Sequence, residues 1–439
     1  MRRALPLLLF ALAVFVFAQG RQGRQEGGPP ADFRTEVPAH AIDVILARPM
    51  ANSITLSVLA AKDTAAMFRH SPGGAARPLA LVAGVPFELE LGALAADREY
   101  TYTVNGVTGS FHTMRGPGSA FTFAVQADSH LDGNTDGRVY ANTLANIAAD
   151  RPDFLIDLGD TFMTEKYPAY RDSAPQYLAQ RYYLGLAGTP VFLALGNHDG
   201  EAGWRTRETG MTEWASAMRR KFFPPVRADR NYYAWTWADA LLVVLDPFTA
   251  TREKPRSAGD GWNWTLGREQ YDWLRATLSA SRAPFKFVFI HHLVGGSGRE
   301  ARGGAEASAF FEWGGLNVDR TPGFAAHRAG WSMPVHDLLA AQHVSAVFHG
   351  HDHLYVRQER DGVVYQEVPQ PGHARGESTA SASEYGYASG TLLGSSGHVR
   401  VSISPGGAAV DYVKSRLAGE NAEVADHYRL RPAAGGGGK

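Results

Sequence analysis

The chain has 439 residues, 11% of them aromatic and 44% hydrophobic, with a formal net charge of −1 and no cysteine. That composition supports substantial cores over ~2–3 domains and excludes both a disulfide-built scaffold and a thiolate metal site. The near-neutral balance gives no electrostatic case for a nucleic-acid polymer or an anionic membrane as partner.

In chain order, Met1-Arg2-Arg3 precedes an apolar run at 4–18 that ends in the small-residue pattern Val16-Phe17-Ala18. This predicts a secretory signal peptide over 1–18 and a secreted or periplasmic protein. No later apolar run is long enough to span a bilayer, so no membrane insertion is expected once the signal is removed. Residues 19–33, QGRQGRQEGGPPADF, read as a polar linker. Residues 34–115 carry short segments of period-two alternation with frequent turns, which predicts an all-β sandwich. Within them Leu94, Tyr100, Tyr102 and Val104 resemble the tyrosine-corner strand of a fibronectin type III domain. Nothing in this part carries catalytic chemistry, and it reads as a packing or spacing module.

Over 119–430 short apolar runs alternate with helical stretches such as 142–150 and 268–281, the signature of an α/β domain. A hairpin is expected around Pro405-Gly406-Gly407, and a disordered tail at 431–439. The stretch DGNTDG at 132–137 opens like a calcium loop, but its twelfth position is Thr143, so calcium binding is not expected there.

Five apolar runs each end in metal-ligand chemistry. FTFAVQ leads to Asp128-Ser129-His130 and DFLIDL to Gly159-Asp160. PVFLAL leads to Asn197-His198-Asp199, FKFVFI to His291-His292, and SAVF to His349-Gly350-His351-Asp352-His353. The carboxyl ends of strands are where open α/β sheets bind ligands, and glycines before the ligands permit a sharp turn and close backbone approach. Carboxylates, an amide oxygen and imidazoles suit zinc, manganese, iron or nickel. The set is too large for one closed tetrahedral zinc site. A shared carboxylate would instead give two ions about 3.5–4 Å apart with a bridging water made nucleophilic.

The order D-x-H, GD, GNHD, H, GHxH across 119–357 resembles the calcineurin-like metallophosphoesterase family. With the fibronectin-like segment before it, the chain looks nearest the purple acid phosphatase-like branch. The resemblance implies two packed mixed β-sheets flanked by helices, two divalent or mixed-valence metal ions (iron, manganese or zinc) and hydrolysis of small phosphate esters. It also implies roles. Asp128, His130 and His353 would hold one ion, Asn197, His291 and His351 the other, and Asp160 would bridge them. His198 would protonate the leaving group or stabilise the transition state. The purple enzymes have a tyrosine where this chain has Met163, so a tyrosinate-bound ferric ion is not expected.

Other residues stay open at this level. His292 faces substrate or supports the ligands, His349 packs on the opposite side of its strand, and Asp352 is structural. Asp199 either orients His198 or faces solvent. The Gly-rich stretch 295–333 reads as a lid or a disordered loop. Its Arg299, Arg302 and Arg328 are candidates for holding phosphate oxygens. Trp262 and Trp264 belong to the core or line a cleft. The function expected is an exported phosphomonoesterase. The alternatives are a phosphodiesterase or nucleotidase on the same site, or a non-catalytic surface protein with a relict metal site.

Overall fold

The computed structural model describes residues 32–207, 210–373 and 375–433. The expected signal peptide, most of the linker and the end of the tail lie outside the described residues. Among those described, no helix is long and apolar enough to cross a membrane.

The first seven strands are β1 (Ile42–Ala47), β2 (Ile54–Ala60), β3 (Thr64–Ser71), β4 (Arg77–Leu81), β5 (Phe87–Leu91), β6 (Glu99–Val104) and β7 (Val107–His112). They form two antiparallel sheets, ordered β1-β2-β5 and β4-β3-β6-β7. In β6, Tyr100, Tyr102 and Val104 point inward and Glu99, Thr101 and Thr103 outward, as a sheet with one solvated face requires. The Tyr100 hydroxyl accepts the Ala95 N–H at 2.8 Å, the contact that defines a tyrosine corner. The whole is consistent with a fibronectin type III-like sandwich.

β1 and β2 break the alternation, because both their faces are buried. Val44, Leu46, Leu56 and Val58 fill the sandwich core, while Ile45 and Leu59 join a second cluster with helices of the region that follows.

That region supplies β8 (Phe121–Gln126), β9 (Phe154–Asp157), β10 (Val191–Leu193), β11 (Tyr233–Trp237), β12 (Ala240–Val244), β13 (Phe285–Phe289) and β14 (Ala346–His349). It continues with β15 (Leu354–Arg360), β16 (Val363–Glu367), β17 (Thr391–Gly394), β18 (Gly397–Ser404), β19 (Gly407–Lys414) and β20 (Val424–Leu430). The helices are α1 (Gly137–Asp150), α2 (Ala174–Leu186), α3 (Met211–Phe222), α4 (Arg268–Ala280), α5 (Phe311–Gly314), α6 (Phe324–His327) and α7 (Val335–Ala341).

One mixed sheet runs β10-β9-β8-β18-β19-β20 and the other β11-β12-β13-β14-β16-β15-β17. They pack face to face. Phe123, Val125, Phe154, Val399 and Val401 of the first meet Leu242, Phe287, Phe289 and Phe348 of the second. The outer faces are covered by α1 and α2 on one side and by α4 and α7 on the other. Strands buried on both faces explain why FTFAVQ and FKFVF read as continuous apolar runs. The expected hairpin is β18–β19, with Ser404 opposite Gly407.

The sandwich is no detached spacer: the two parts belong to one compact unit. Arg181 of α2 is fully buried between them. Its guanidinium pairs with Asp43 of β1 and donates to Ser57 Oγ of β2 at 3.0 Å and to the Ser57 carbonyl. It also reaches the Phe222 carbonyl at the end of α3.

Candidate metal centre

Each of the five ligand-bearing segments follows a strand, β8, β9 and β10 in one sheet and β13 and β14 in the other. The ends of both sheets therefore meet at one place. The turns are tight. Asp128, His130, Asp160, His351 and His353 all have positive φ, between 48° and 81°, a conformation that non-glycine residues hold only when their surroundings impose it. Glycines let the turns touch. A Cβ on Gly159 would lie 2.2 Å from the Gly196 nitrogen, and one on Gly350 would lie 2.6 Å from Asp128 Oδ2.

Two groups of side chains could each hold a cation: Asp128, His130 and His353, and Asp160, His291 and His351. Within each group the donor atoms lie within 4.8 Å of one another. Ligands at about 2.0–2.2 Å from a common ion lie ~3–4 Å apart. His130 Nε2 and His353 Nε2 are 3.6 and 3.5 Å from Asp128 Oδ1. Asp160 Oδ2 belongs to both sides, 3.3 Å from His291 Nε2 and 3.7 Å from His130 Nε2. Asn197 Oδ1 is 3.1 Å from His291 Nε2. Among the described residues, Asp128 Oδ1 and both ring nitrogens of His130 are buried with no hydrogen-bond partner. Such orphans are unfavourable by about 1–3 kcal/mol each; a cation held by Asp128 Oδ1 and His130 Nε2 satisfies two of them, while Nδ1 faces Asp132 at 3.5 Å. The donor set fits two metal ions.

The imidazoles are set for this. His291 Nδ1 gives its proton to the Leu158 carbonyl at 2.9 Å, leaving Nε2 for a cation. His351 does the reverse, since Nε2 donates to the Glu300 carbonyl at 2.8 Å and leaves Nδ1. A ring fixed through its other nitrogen is the usual support of a metal-binding histidine. Burial opposes charge on His291, but Asp160 and Asp128 outweigh it and hold the ring up at about 9. Asp160, despite its burial, is held well below the carboxylate range by His198 and His291.

Support comes from residues the sequence reading did not place. Asp132, in the rejected calcium-like stretch, lies 3.5 Å from His130 Nδ1. On α2, Gln176 donates to the His130 carbonyl at 3.2 Å, and Gln180 to Ser129 Oγ at 2.8 Å and the Thr161 carbonyl at 2.9 Å. Asp199 neither orients His198 nor faces solvent. It is fully buried and accepts the N–H groups of Thr161, Phe162 and Gly196 at 2.8–2.9 Å, tying two ligand turns together.

His198 is oriented by Glu165 instead. Its Nδ1 is 2.5 Å from Glu165 Oε1, and its Nε2 3.7 Å from Asp160 Oδ2. Lys166 and Arg205 hold Glu165 in turn. Half-buried His373, in the turn after β16, also comes to the centre. Its ring is 6.4 Å from that of His353, and burial together with the charge on His353 lowers it to about 4.

The remaining sequence candidates fall in different places. The 295–333 stretch is folded, with α5, α6 and the buried Phe311 and Trp313. Arg328 is not at the centre. It pairs with buried Glu312 and donates to the carbonyls of Trp262 and Trp264 at 2.6 and 3.1 Å. Arg302 is committed to the His351 carbonyl and to Asp352 Oδ1, while Arg299 is 62% exposed and pairs with Glu300. His292 lies beside the centre with its Nε2 buried and without a hydrogen-bond partner among the described residues. It is 2% exposed and walled by Phe248, Trp264 and His351. Trp262 and Trp264 are core residues. Asp352 is structural, holding Arg302, the Gly303 N–H and the Tyr387 hydroxyl. His349 packs against Glu367 at 2.6 Å.

Two mixed sheets with helices outside, and carboxylate–imidazole groups at the edge where they meet, define a metal-site α/β protein with a candidate dinuclear centre. Residues 121–355, more than half the chain, match the Calcineurin-like phosphoesterase family. The chain belongs to that family, and is a phosphoric ester hydrolase. The solved structure of PhoD is similar at a TM-score of 0.61 and 14% identity, over 89% of this chain and 91% of that one. Purple acid phosphatase PPD1 from yellow lupin (Lupinus luteus) seeds gives 0.60 and 16%, over 89% of this chain and 74% of that one. These likenesses concern the fold. The search of curated proteins found no match.

Proposed function

We propose that the protein is an exported phosphomonoesterase acting on small phosphate esters at a dinuclear metal centre. Asp128, His130 and His353 would hold one ion, Asn197, His291 and His351 the second, and Asp160 both. The observation that carries this is Asp160 Oδ2, within 3.3–3.7 Å of donors from each group. Two bound cations supply charge neutralisation on the phosphoryl group and a nucleophile derived from water. The chain's own part is to fix the donors and to place His198. The Glu165 carboxylate holds the Nδ1 proton of His198 and turns Nε2 toward Asn197 and Asp160, where a second proton on the ring would serve the leaving oxygen or the developing charge. A relict site is disfavoured, because every residue the family pattern requires is present and converges.

The near-zero net charge supports small esters over a polyanion. The pattern of residues 1–18 supports export, with a mature start near Gln19. One observation favours a second reading, phosphodiester hydrolysis. Arg302 and Arg328 are committed to structure, which leaves a dianion less extra charge to meet. Metal content measured alongside turnover of p-nitrophenyl phosphate and bis(p-nitrophenyl) phosphate separates the readings. Two ions and a preference for the monoester are expected. Preference for the diester establishes the second reading, and a protein with two ions that turns over neither ester defeats both. N-terminal sequencing of secreted material tests export, and an intact Met1 would refute it.

A further inference from the structure

We propose that His373 is a substrate-holding residue on the Asp128–His130–His353 side of the centre, donating its Nε2 proton to a non-bridging oxygen of the phosphoryl group. The inference rests on the phosphoester-hydrolase reading of the site and adds to it a residue that no strand-end motif contains.

The ring's tautomer is set by its own turn. The backbone N–H of Arg375 donates to His373 Nδ1 at 3.0 Å. Nδ1 is therefore the acceptor, and in the neutral ring the proton sits on Nε2. Among the described residues Nε2 has no hydrogen-bond partner. His373 is not one of the residues whose donor atoms group around a candidate ion. It lies one imidazole further out, beside His353, which at 30% exposure marks the open side of the site.

The donor is held in place. The Pro371 carbonyl accepts from Thr143 Oγ1 at 2.6 Å, the Gly372 carbonyl from the Asp136 N–H at 2.8 Å, and the His373 carbonyl from Ser396 Oγ at 3.1 Å. Gly372 packs so closely that a Cβ there would lie 2.9 Å from the Cβ of Tyr140. A fixed N–H with no protein partner at the mouth of a site for anions is a preorganised donor, effective because it need not reorganise when charge arrives. Arg375 adds a cation here. Its side chain is exposed, has no partner among the described residues, and lies near enough to disfavour a proton on His373. The arginines of 295–333 are largely committed elsewhere, whereas this turn offers uncommitted donors beside His353.

The test uses the metal-loaded protein with His373→Phe, which keeps a ring without the donor, and His373→Gln, which keeps an N–H. Metal content, orthophosphate affinity by calorimetry, and kcat and KM for p-nitrophenyl phosphate are measured. His373→Phe should keep both ions and lose ~10–100-fold in orthophosphate affinity, the size of a hydrogen bond to a charged group. His373→Gln should recover most of that loss. Unchanged phosphate affinity in His373→Phe overturns the proposal. So does equal impairment of the two variants, which would mean the ring acts by its shape, and so does loss of metal, which would make it a ligand. A wild type that holds two ions but neither binds orthophosphate nor turns over ester overturns the underlying reading, and this one with it.

Discussion

His198 Nδ1 and Glu165 Oε1 are 2.5 Å apart, and Glu165 is itself clamped by Lys166 and Arg205. The histidine is thus aimed at the centre without belonging to either ligand group. His198→Ala should keep both ions and lose ~10²–10⁴-fold in kcat, the usual size of a general-acid or charge-stabilising contribution. Glu165→Gln should lose less, with KM little changed, because the ring stays but its orientation loosens. A His198→Ala protein without metal would place the ring among the ligands.

Asp160 Oδ2 lies near donors of both groups. Under the proposed reading it is their shared anion, so Asp160→Asn should reduce occupancy at both positions together and abolish nearly all turnover. Metal analysis of the purified variant checks this. Retention of both ions would show that another group bridges them.

Asp199 acts on the ligand turns without touching substrate. Asp199→Ala frees three buried N–H groups and should destabilise the fold by about 1–3 kcal/mol or more. Urea unfolding reads the stability, and a metal titration should show weaker binding as the two turns part. Wild-type stability with intact metal affinity would contradict the role.

Acid sensitivity has a source remote from the centre. His398 is fully buried beside Asp150, Arg400 and Asp411. Burial lowers its proton affinity, with Arg400 adding to the effect, while Asp150 and Asp411 oppose it. The unfolded chain takes up this proton first, near pH ~6.5. The contribution to stability is therefore intact above that pH and is lost as pH falls toward the folded value, at up to ~1.4 kcal/mol per pH unit for one proton. His398→Gln should flatten the fall of Tm below pH ~6.5. An unchanged slope would assign it to other groups.

Loaded with iron, the protein should lack a strong visible charge-transfer band. Met163 offers no oxygen ligand. The nearby Tyr167 stacks on Phe33 at 4.1 Å, and burial pushes its phenol up to about 12. An intense band lost on Tyr167→Phe would overturn this.

The seven candidate ligands that converge at the centre were legible because metal-binding chemistry demands particular residue types immediately after a strand, a local pattern. The tyrosine corner was legible for the same reason, since Tyr100 and Ala95 are near neighbours in sequence. Partner choice was not. Arg328 looked like a phosphate binder in a Gly-rich loop, yet its carbonyl partners lie 64 and 66 residues away. Asp199 sits next to His198, and nothing in that adjacency says its carboxylate turns back to Thr161 and Phe162. Glu165, Asp132 and His373 carry no motif, because their roles depend on where separate turns come to rest. The period-two pattern of 34–115 gave the sandwich but not its attachment, since a pattern within β1 cannot show what covers its second face.

That attachment bears on how such a chain can change over time. Arg181 leaves its charge at the seam, neutralised by Asp43 of the sandwich, with Ser57 on that side and the Phe222 carbonyl on the other accepting its N–H groups. Replacing 34–115 by another domain that covers the same face would leave this guanidinium buried without its acid, a loss on the order of 3–5 kcal/mol for such a broken pair. The same helix carries Gln176 and Gln180 to the ligand turns. The sandwich is therefore not a cassette that recombination can shuffle in or out. A hybrid with a foreign domain would inherit a crippled catalytic half unless it also brought an acid to the place of Asp43.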